Sequence, residues 1–253
     1  NPKLIERINK SDYLILLGGR LSENPSQGFS LLDIPEHNKK LVHIHPGPEE
    51  IGRIYKPYLG IACSPISFVN ALNNALKGLN TKPSSHNQVL ANQAHEEYLE
   101  WGNMPLEAPN SGVDLTTVFR SLREDLNANT IITNGAGNYA VWGHRLFRFT
   151  NFGTQLAPIS GSMGYGLPAA IAAKLRNPNK TVIALAGDGC FQMTENEFAT
   201  AVQYNAGVIV FVLDNEMYGT IRMHQHKNYK GKYKHTGLIN PDFNKLAIAM
   251  GGQ

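Results

Sequence analysis

Cysteine is scarce: Cys63 and Cys190 are the two present in 253 residues. Two thiols so far apart in sequence make no disulfide scaffold and fit a reduced, cytoplasmic compartment. Long hydrophobic runs are missing too. No apolar stretch reaches the ~18 residues of a membrane span, and Asn1-Pro2-Lys3 carries neither an initiator Met nor a signal-peptide pattern. Charge of one sign does not dominate: Lys and Arg outnumber Asp and Glu by 23 to 20, a net +3 scattered along the chain. That excess is too small to argue for nucleic acid. There is no internal repeat and no low-complexity tract. What remains is 42 % apolar and 17 % charged, a globular composition able to bury a sizeable core. At ~150 residues per domain the length fits one large or two ordinary domains. Both ends read as cut, because Asn1 leads straight into helix-like sequence and Gly251-Gly252-Gln253 follows no closing element. The expectation is a piece of a longer polypeptide.

Apolar runs and punctuation divide the chain. Tyr13 to Leu17 reads as a buried strand ending at Gly18-Gly19, and Leu41 to His45 as a second, closed by Pro46-Gly47-Pro48. Pro48-Glu49-Glu50-Ile51 resembles a helix start with acids in its first turn. Pro65 to Leu79 carries Ile66, Val69, Leu72 and Leu76 roughly on one helical face. Strands alternating with helices predict a parallel α/β sheet, and this first unit ends near Leu79. Residues 80–112 are rich in Asn, Ser, Pro, Gln and Glu, with one helical patch around Ala91 to Trp101, and read as an interdomain linker. A second α/β unit fills 113–253: a helix over Val113–Leu126, a strand over Thr130–Thr133, and a helix over Pro168–Leu175. Two near-continuous apolar runs follow, Thr181–Ala186 and Val208–Leu213, of the kind that suits strands covered on both faces. Between them Thr194 and Glu197 have capping-box spacing for a helix over Thr194–Asn205.

Gly187-Asp188-Gly189 follows the first of those runs and Asp214-Asn215 the second, 27 residues separating Asp188 from Asn215. That is room for one turn, one helix and one strand. Both pairs therefore fall at the carboxyl ends of parallel strands, where open α/β sheets bind ligands. Glycines beside Asp188 let backbone amides approach a phosphate. A carboxylate, an amide oxygen and a nearby carbonyl are hard ligands that leave room for phosphate oxygens and water around Mg²⁺. Taken singly, Gly-Asp-Gly reads as a turn and Asp-Asn as a turn or cap; their joint placement points to a metal-bridged diphosphate.

These residues resemble the thiamin diphosphate signature. Ser160-Gly161-Ser162-Met163-Gly164-Tyr165-Gly166-Leu167-Pro168-Ala169-Ala170 and Met193-Thr194-Glu195-Asn196-Glu197-Phe198-Ala199-Thr200-Ala201-Val202 are similar to stretches of the acetolactate synthase group. The resemblance covers residues 112–253 with specific motifs and 1–79 more loosely. It implies three-layer parallel-sheet α/β domains, with a Rossmann-like part of a central domain (1–79) before the diphosphate-binding domain (113–253). It implies that Asp188, Asn215 and the Met217 carbonyl hold Mg²⁺. Gly187, Gly189, Cys190, Tyr218 and Gly219 would meet the cofactor, with Gly161 nearby and Gly137, Asn138 and Tyr139 on the other side. Met163 matches the apolar prop under the cofactor's V shape, which serves formation of a C2 carbanion that attacks a 2-oxo acid. Read without the resemblance, Met163 is a core gap-filler.

The same resemblance implies a homodimer or tetramer, because the activating Glu comes from a neighbouring subunit's N-terminal pyrimidine domain. The chain alone is expected to bind Mg²⁺-diphosphate weakly and turn nothing over. Some members hold FAD, and Gly18-Gly19-Arg20 loosely matches the region concerned. Departures stand at Asn138-Tyr139, where a Gln-His pair is usual, at His224, where a Trp shapes the acceptor pocket, and at Asp214, where Asn is usual. They leave a 2-oxo acid decarboxylase open beside a carboligase, and a non-catalytic diphosphate-binding module as a third reading. Cys190 reads as a small neighbour of the diphosphate, and His43 and His45, alternating along a strand, as structural or as outer supports of a site. Arg145, Arg148, His224, His226 and Lys227 read as a solvated basic face, and Met223–His235 as a mobile loop at the cofactor mouth.

Overall fold

The computed structural model describes residues 1–79, 82, 84–103 and 111–253, in two compact units, 1–99 and 100–253. Part of the expected linker thus lies outside the described residues. Much of the rest is helix, as given below.

In the first unit, α1 (Pro2–Lys10) starts where the Asn1 side chain accepts from the Lys3 amide and Pro2 takes the first turn. Strands β1 (Tyr13–Leu17), β2 (Lys40–His45) and β3 (Leu59–Ala62) follow, parallel and in that order across the sheet. Composition gave no sign of β3, a short Leu-Gly-Ile-Ala. The strand expected to be buried, β1, is covered on one face only. Leu14 and Leu16 pack against Leu32, Leu41 and Tyr55, whereas Tyr13, Ile15 and Leu17 point away and are exposed. A 3₁₀ turn spans Pro48–Glu50. Helix α2 (Pro65–Leu76) opens with the Ser64 hydroxyl accepting from Ser67 N at 3.1 Å. Gly18 (φ +72°) has to be glycine, since a Cβ there would stand 2.8 Å from the Pro65 ring. His43 and His45 are structural as expected: His43 is buried with Nε2 3.0 Å from the Gly19 carbonyl, and His45 Nδ1 lies 3.0 Å from Gly47 N. Helix α3 (Ser85–Asn103) starts earlier than the patch at Ala91 because Ser84 Oγ caps it, accepting from Asn87 N.

In the second unit the elements are α4 (Leu115–Asp125), β4 (Ile131–Asn134), α5 (Ala140–Leu146), β5 (Gln155–Leu156), α6 (Gly166–Arg176), β6 (Val182–Gly187), α7 (Asp188–Phe191), α8 (Glu197–Gln203), β7 (Ile209–Leu213), α9 (Gly219–Asn228) and α10 (Phe243–Ala249). The sheet is parallel throughout, in the order β5-β4-β6-β7. Alternation along β6 explains its three layers. Ile183 and Leu185 join Phe119, Ile132, Leu146 and Phe147 under α4 and α5, whereas Val182, Ala184 and Ala186 face residues of α6 and α8. Every residue of β6 is buried. The apolar run ending at Leu213 is not covered to the same degree: β7 is an edge strand and Ile209 is 47 % exposed.

Three local expectations are corrected. The capping box fails because the Thr194 hydroxyl donates to the Gly164 carbonyl at 2.8 Å, leaving Asn196 to begin α8 without a side-chain cap. The segment expected as a loop is helical to Asn228, and its return is bonded back: the Gln225 amide pairs with the Lys234 backbone at 3.0 and 3.1 Å, and Arg222 lies over the Tyr233 ring. Arg145 is not solvated, for its guanidinium stacks 3.7 Å from the Trp101 ring and donates to the Trp101 carbonyl. Among the described residues no helix is long and apolar enough to cross a membrane.

Candidate functional site

The carboxyl ends of β4, β6 and β7 converge on a small cleft of about 110 Å³ that opens to solvent. Its walls come from three successions of residues. After β4 the chain turns through Ala136, Gly137, Asn138 and Tyr139. At the end of β6 come Gly187, Asp188, Gly189 and Cys190. After β7 come Asn215, Met217, Tyr218, Gly219, Thr220 and Ile221, while Met163 enters from the segment before α6. All the residues expected to meet cofactor or metal line this cleft except Gly161. That glycine sits in an exposed turn (φ +69°) with open space where a Cβ would be, so its backbone conformation accounts for it.

Aromatic rings press on the glycines beside Asp188. A Cβ on Gly187 would stand 2.9 Å from the Tyr139 ring, and one on Gly189 would stand 2.5 Å from the Tyr218 ring. The Tyr139 hydroxyl donates to Cys190 Sγ at 3.2 Å, and Gly164 N donates to the same sulfur at 3.1 Å. Cys190 is therefore a buried anchor for two loops, not an exposed nucleophile. Burial, and then the bond to Cys190, push the Tyr139 phenol well above its ordinary pKa, so it is a neutral donor at working pH. Gly135 has no room for a side chain because its Cβ would collide with Cys190 Sγ. The loop after β4 is tied further: the Thr220 hydroxyl is 3.0 Å from both Asn138 N and Asn138 Oδ1, and His144 Nε2 is 2.9 Å from Asn134 Oδ1.

Asp188 is 3 % exposed, and no Lys, Arg or His among the described residues pairs with it. A buried carboxylate without a cation is costly, and a divalent ion in the cleft would offset that cost. Asn215, whose side chain carries an amide oxygen, lines the same cleft. The Met217 carbonyl accepts from Gly219 N at 2.9 Å, which leaves its second lone pair. One carboxylate, one amide oxygen and one carbonyl suit Mg²⁺ with bound water and phosphate. Among the described residues no group of three His, Cys, Asp or Glu side chains could hold a metal instead. Asp188 begins α7, whose first amides have no partner within the helix.

Sequence reasoning missed Asn240. Its Nδ2 donates to Asp188 Oδ2 at 2.8 Å and to Asp214 Oδ1 at 2.7 Å, while Gln192 Nε2 donates to its Oδ1 at 2.8 Å. No local signal marks it, because it lies 52 residues beyond Asp188. Thr220 was missed also, though it follows the recognised Gly219.

Residues 135–253 match the thiamine pyrophosphate enzyme C-terminal TPP binding domain, and residues 1–72 match the thiamine pyrophosphate enzyme central domain. Among curated proteins, the mitochondrial acetolactate synthase catalytic subunit of Aspergillus candidus is 43 % identical over 53 % of the chain and 19 % of its own length. The mitochondrial acetolactate synthase of Schizosaccharomyces pombe is 30 % identical over 96 % of the chain and 38 % of its own length. The large subunit of acetolactate synthase from Pyropia yezoensis is 29 % identical over 96 % of the chain and 41 % of its own length. The chain thus spans about two fifths of the length of the relatives that it matches nearly end to end.

Proposed function

The chain belongs to the thiamine pyrophosphate enzymes, and on that premise we propose that the complete protein is a thiamin diphosphate-dependent, acetolactate synthase-like carboligase acting on 2-oxo acids. The observation that carries the reading is the placement of Asp188 and Asn215 at the carboxyl ends of neighbouring parallel strands, both facing one cleft. In this reading Asp188, Asn215 and the Met217 carbonyl hold Mg²⁺. Backbone amides of Gly189 and Cys190 hold the diphosphate, Tyr218 and Gly219 flank it, and the 137–139 turn closes it from the opposite side. Bound cofactor supplies an acidic C–H and an electron sink for decarboxylation. The protein's part is to hold the diphosphate end rigidly and to place an apolar side chain, Met163, beneath the cofactor.

The domain assignment in this reading is a central-domain part over 1–79, a connection over 80–112, and the diphosphate-binding domain over 113–253. The complete cofactor site would lie between subunits of a homodimer or tetramer; among the described residues no glutamate lines the cleft. Gly18 is explained by its contact with Pro65, and Arg20 pairs with Glu50 at 3.6 Å, so no flavin enters the proposal. Free Cys63 and Cys190 suit a reducing compartment. That is the cytoplasm in the simplest case, although several relatives are named as mitochondrial.

The test is product analysis with the complete protein, Mg²⁺, thiamin diphosphate and a 2-oxo acid. A carboligase joins the acyl unit to a second 2-oxo acid. An aldehyde as sole product would turn the assignment to a decarboxylase, a reading that Asn138-Tyr139 and His224 keep open. Cofactor that binds but never exchanges its C2 proton would leave a binding module. Met163→Ala sharpens the test. Met163 is only half-buried, so truncation should cost less than the ~2–5 kcal/mol of a core Met→Ala change. Turnover should fall much further than cofactor affinity. A variant that lost stability and kept turnover would make Met163 a core residue.

A further inference from the structure

Asn240 sits where two ligand-bearing strand ends meet. It is brought there by backbone pairing, with Tyr218 N donating to the Thr236 carbonyl and Leu238 N to the Glu216 carbonyl, at 2.9 and 2.8 Å. Its amide nitrogen lies between Asp188 Oδ2 and Asp214 Oδ1. Both acceptors are carboxylates, which cannot donate, so the atom between them is the NH₂ and both its hydrogens are used. The Gln192 amide fixes the other end by donating to Asn240 Oδ1. Asp214 Oδ1 also accepts from Glu216 N at 3.0 Å, which holds the turn that presents Asn215.

The terminal torsion of an Asp is broad and its two oxygens are equivalent, so without a partner the carboxylate plane of Asp188 could swing freely. The bond to Asn240 removes that freedom: Oδ2 is turned toward Asn240, and Oδ1 accepts no hydrogen bond among the described residues. We infer that Asn240 is a positioning residue that presents Asp188 Oδ1 to the divalent cation, and that by holding Asp188 and Asp214 on one amide it sets the spacing of the two ligand loops. The inference rests on the metal reading given above. Outer partners of this kind orient ligands, and their loss weakens metal binding by about 10–100-fold.

The measurement is calorimetric titration of Mg²⁺ into the complete protein at saturating thiamin diphosphate, with turnover of a 2-oxo acid followed against Mg²⁺ concentration. Asn240→Ala is expected to bind Mg²⁺ about 10–100-fold more weakly. Its turnover should recover as Mg²⁺ is raised, because Asp188, Asn215 and Met217 are still present. A residue that only supported the fold would show no such recovery. Unchanged Mg²⁺ affinity in Asn240→Ala, with affinity lost in Asp188→Ala, overturns the inference and leaves the proposed function standing. Mg²⁺ binding that survives in Asp188→Ala overturns both. Should Asn240→Ala fail to fold, Gln192→Ala decides. Weaker Mg²⁺ binding with the same recovery supports the inference, and unchanged binding overturns it.

Discussion

Asp188→Ala in the complete protein is expected to abolish Mg²⁺-dependent binding of thiamin diphosphate while leaving the fold standing. Asp188 is the one carboxylate in the proposed donor set, so its removal should exceed the roughly 10–100-fold that loss of an outer partner costs. The fold should not suffer, and the reason is electrostatic. Asp188 is 3 % exposed at the end of a fully buried strand, without a cation partner among the described residues. Removing such a charge takes away a desolvation penalty, not a favourable pair. Asn240 keeps its bonds to Asp214 and Gln192. Without metal, the urea midpoint of the variant should equal or exceed that of the parent. With Mg²⁺ and cofactor at about 100 times Kd, the parent should gain about 2.7 kcal/mol and the variant nothing. Equal gains in both proteins would remove Asp188 from the metal site.

The parts of this site that were readable from sequence share one property: each is set by a short, contiguous stretch. Thr181–Ala186 is a near-continuous apolar run, which announces a strand covered on both faces, and Asp188 follows at its carboxyl end. Asn215 could be placed opposite because one helix and one strand fill the interval. The misreadings involve competition from outside the local stretch. Thr194 has the right spacing for a capping box, but the Gly164 carbonyl offers its hydroxyl a 2.8 Å acceptor and wins. Tyr13 to Leu17 is uniformly apolar, yet whether both faces are covered depends on what packs there, and only Leu14 and Leu16 meet a core. Arg145 looked like a surface charge until the Trp101 ring came within 3.7 Å. Asn240 is the extreme case. Its role exists only once residues 236–238 have paired with 216–218, and nothing in Ile239-Asn240-Pro241 predicts that pairing.

The largest expected loss of stability lies away from the chemistry, at Phe119. This ring, 1 % exposed, is packed with Ile132, Leu146, Phe147, Ile183 and Leu185. It comes from α4, whereas Ile132 sits on β4 and Ile183 and Leu185 on β6, so it ties the helix layer to the two central strands. Phe119→Ala should destabilise by about 3–5 kcal/mol, transfer and cavity terms together. That is a large part of a typical total of about 5–15 kcal/mol. Phe119→Leu retains most of the buried carbon and should lose clearly less. The loss should appear in urea midpoints with and without cofactor, while Mg²⁺ affinity of the molecules still folded stays at the parental value. This opposite pattern to Asp188→Ala follows from topology. In an open parallel sheet the core lies along the strands and the ligands lie beyond their carboxyl ends, so β6 contributes Ile183 and Leu185 to stability and then delivers Asp188 to the cleft. Phe119→Ala that left the midpoint unchanged would break the link between the α4 layer and the sheet. A variant that lost Mg²⁺ affinity while fully folded would show that the strand ends move with the core, and the two functions of β6 would not be separable.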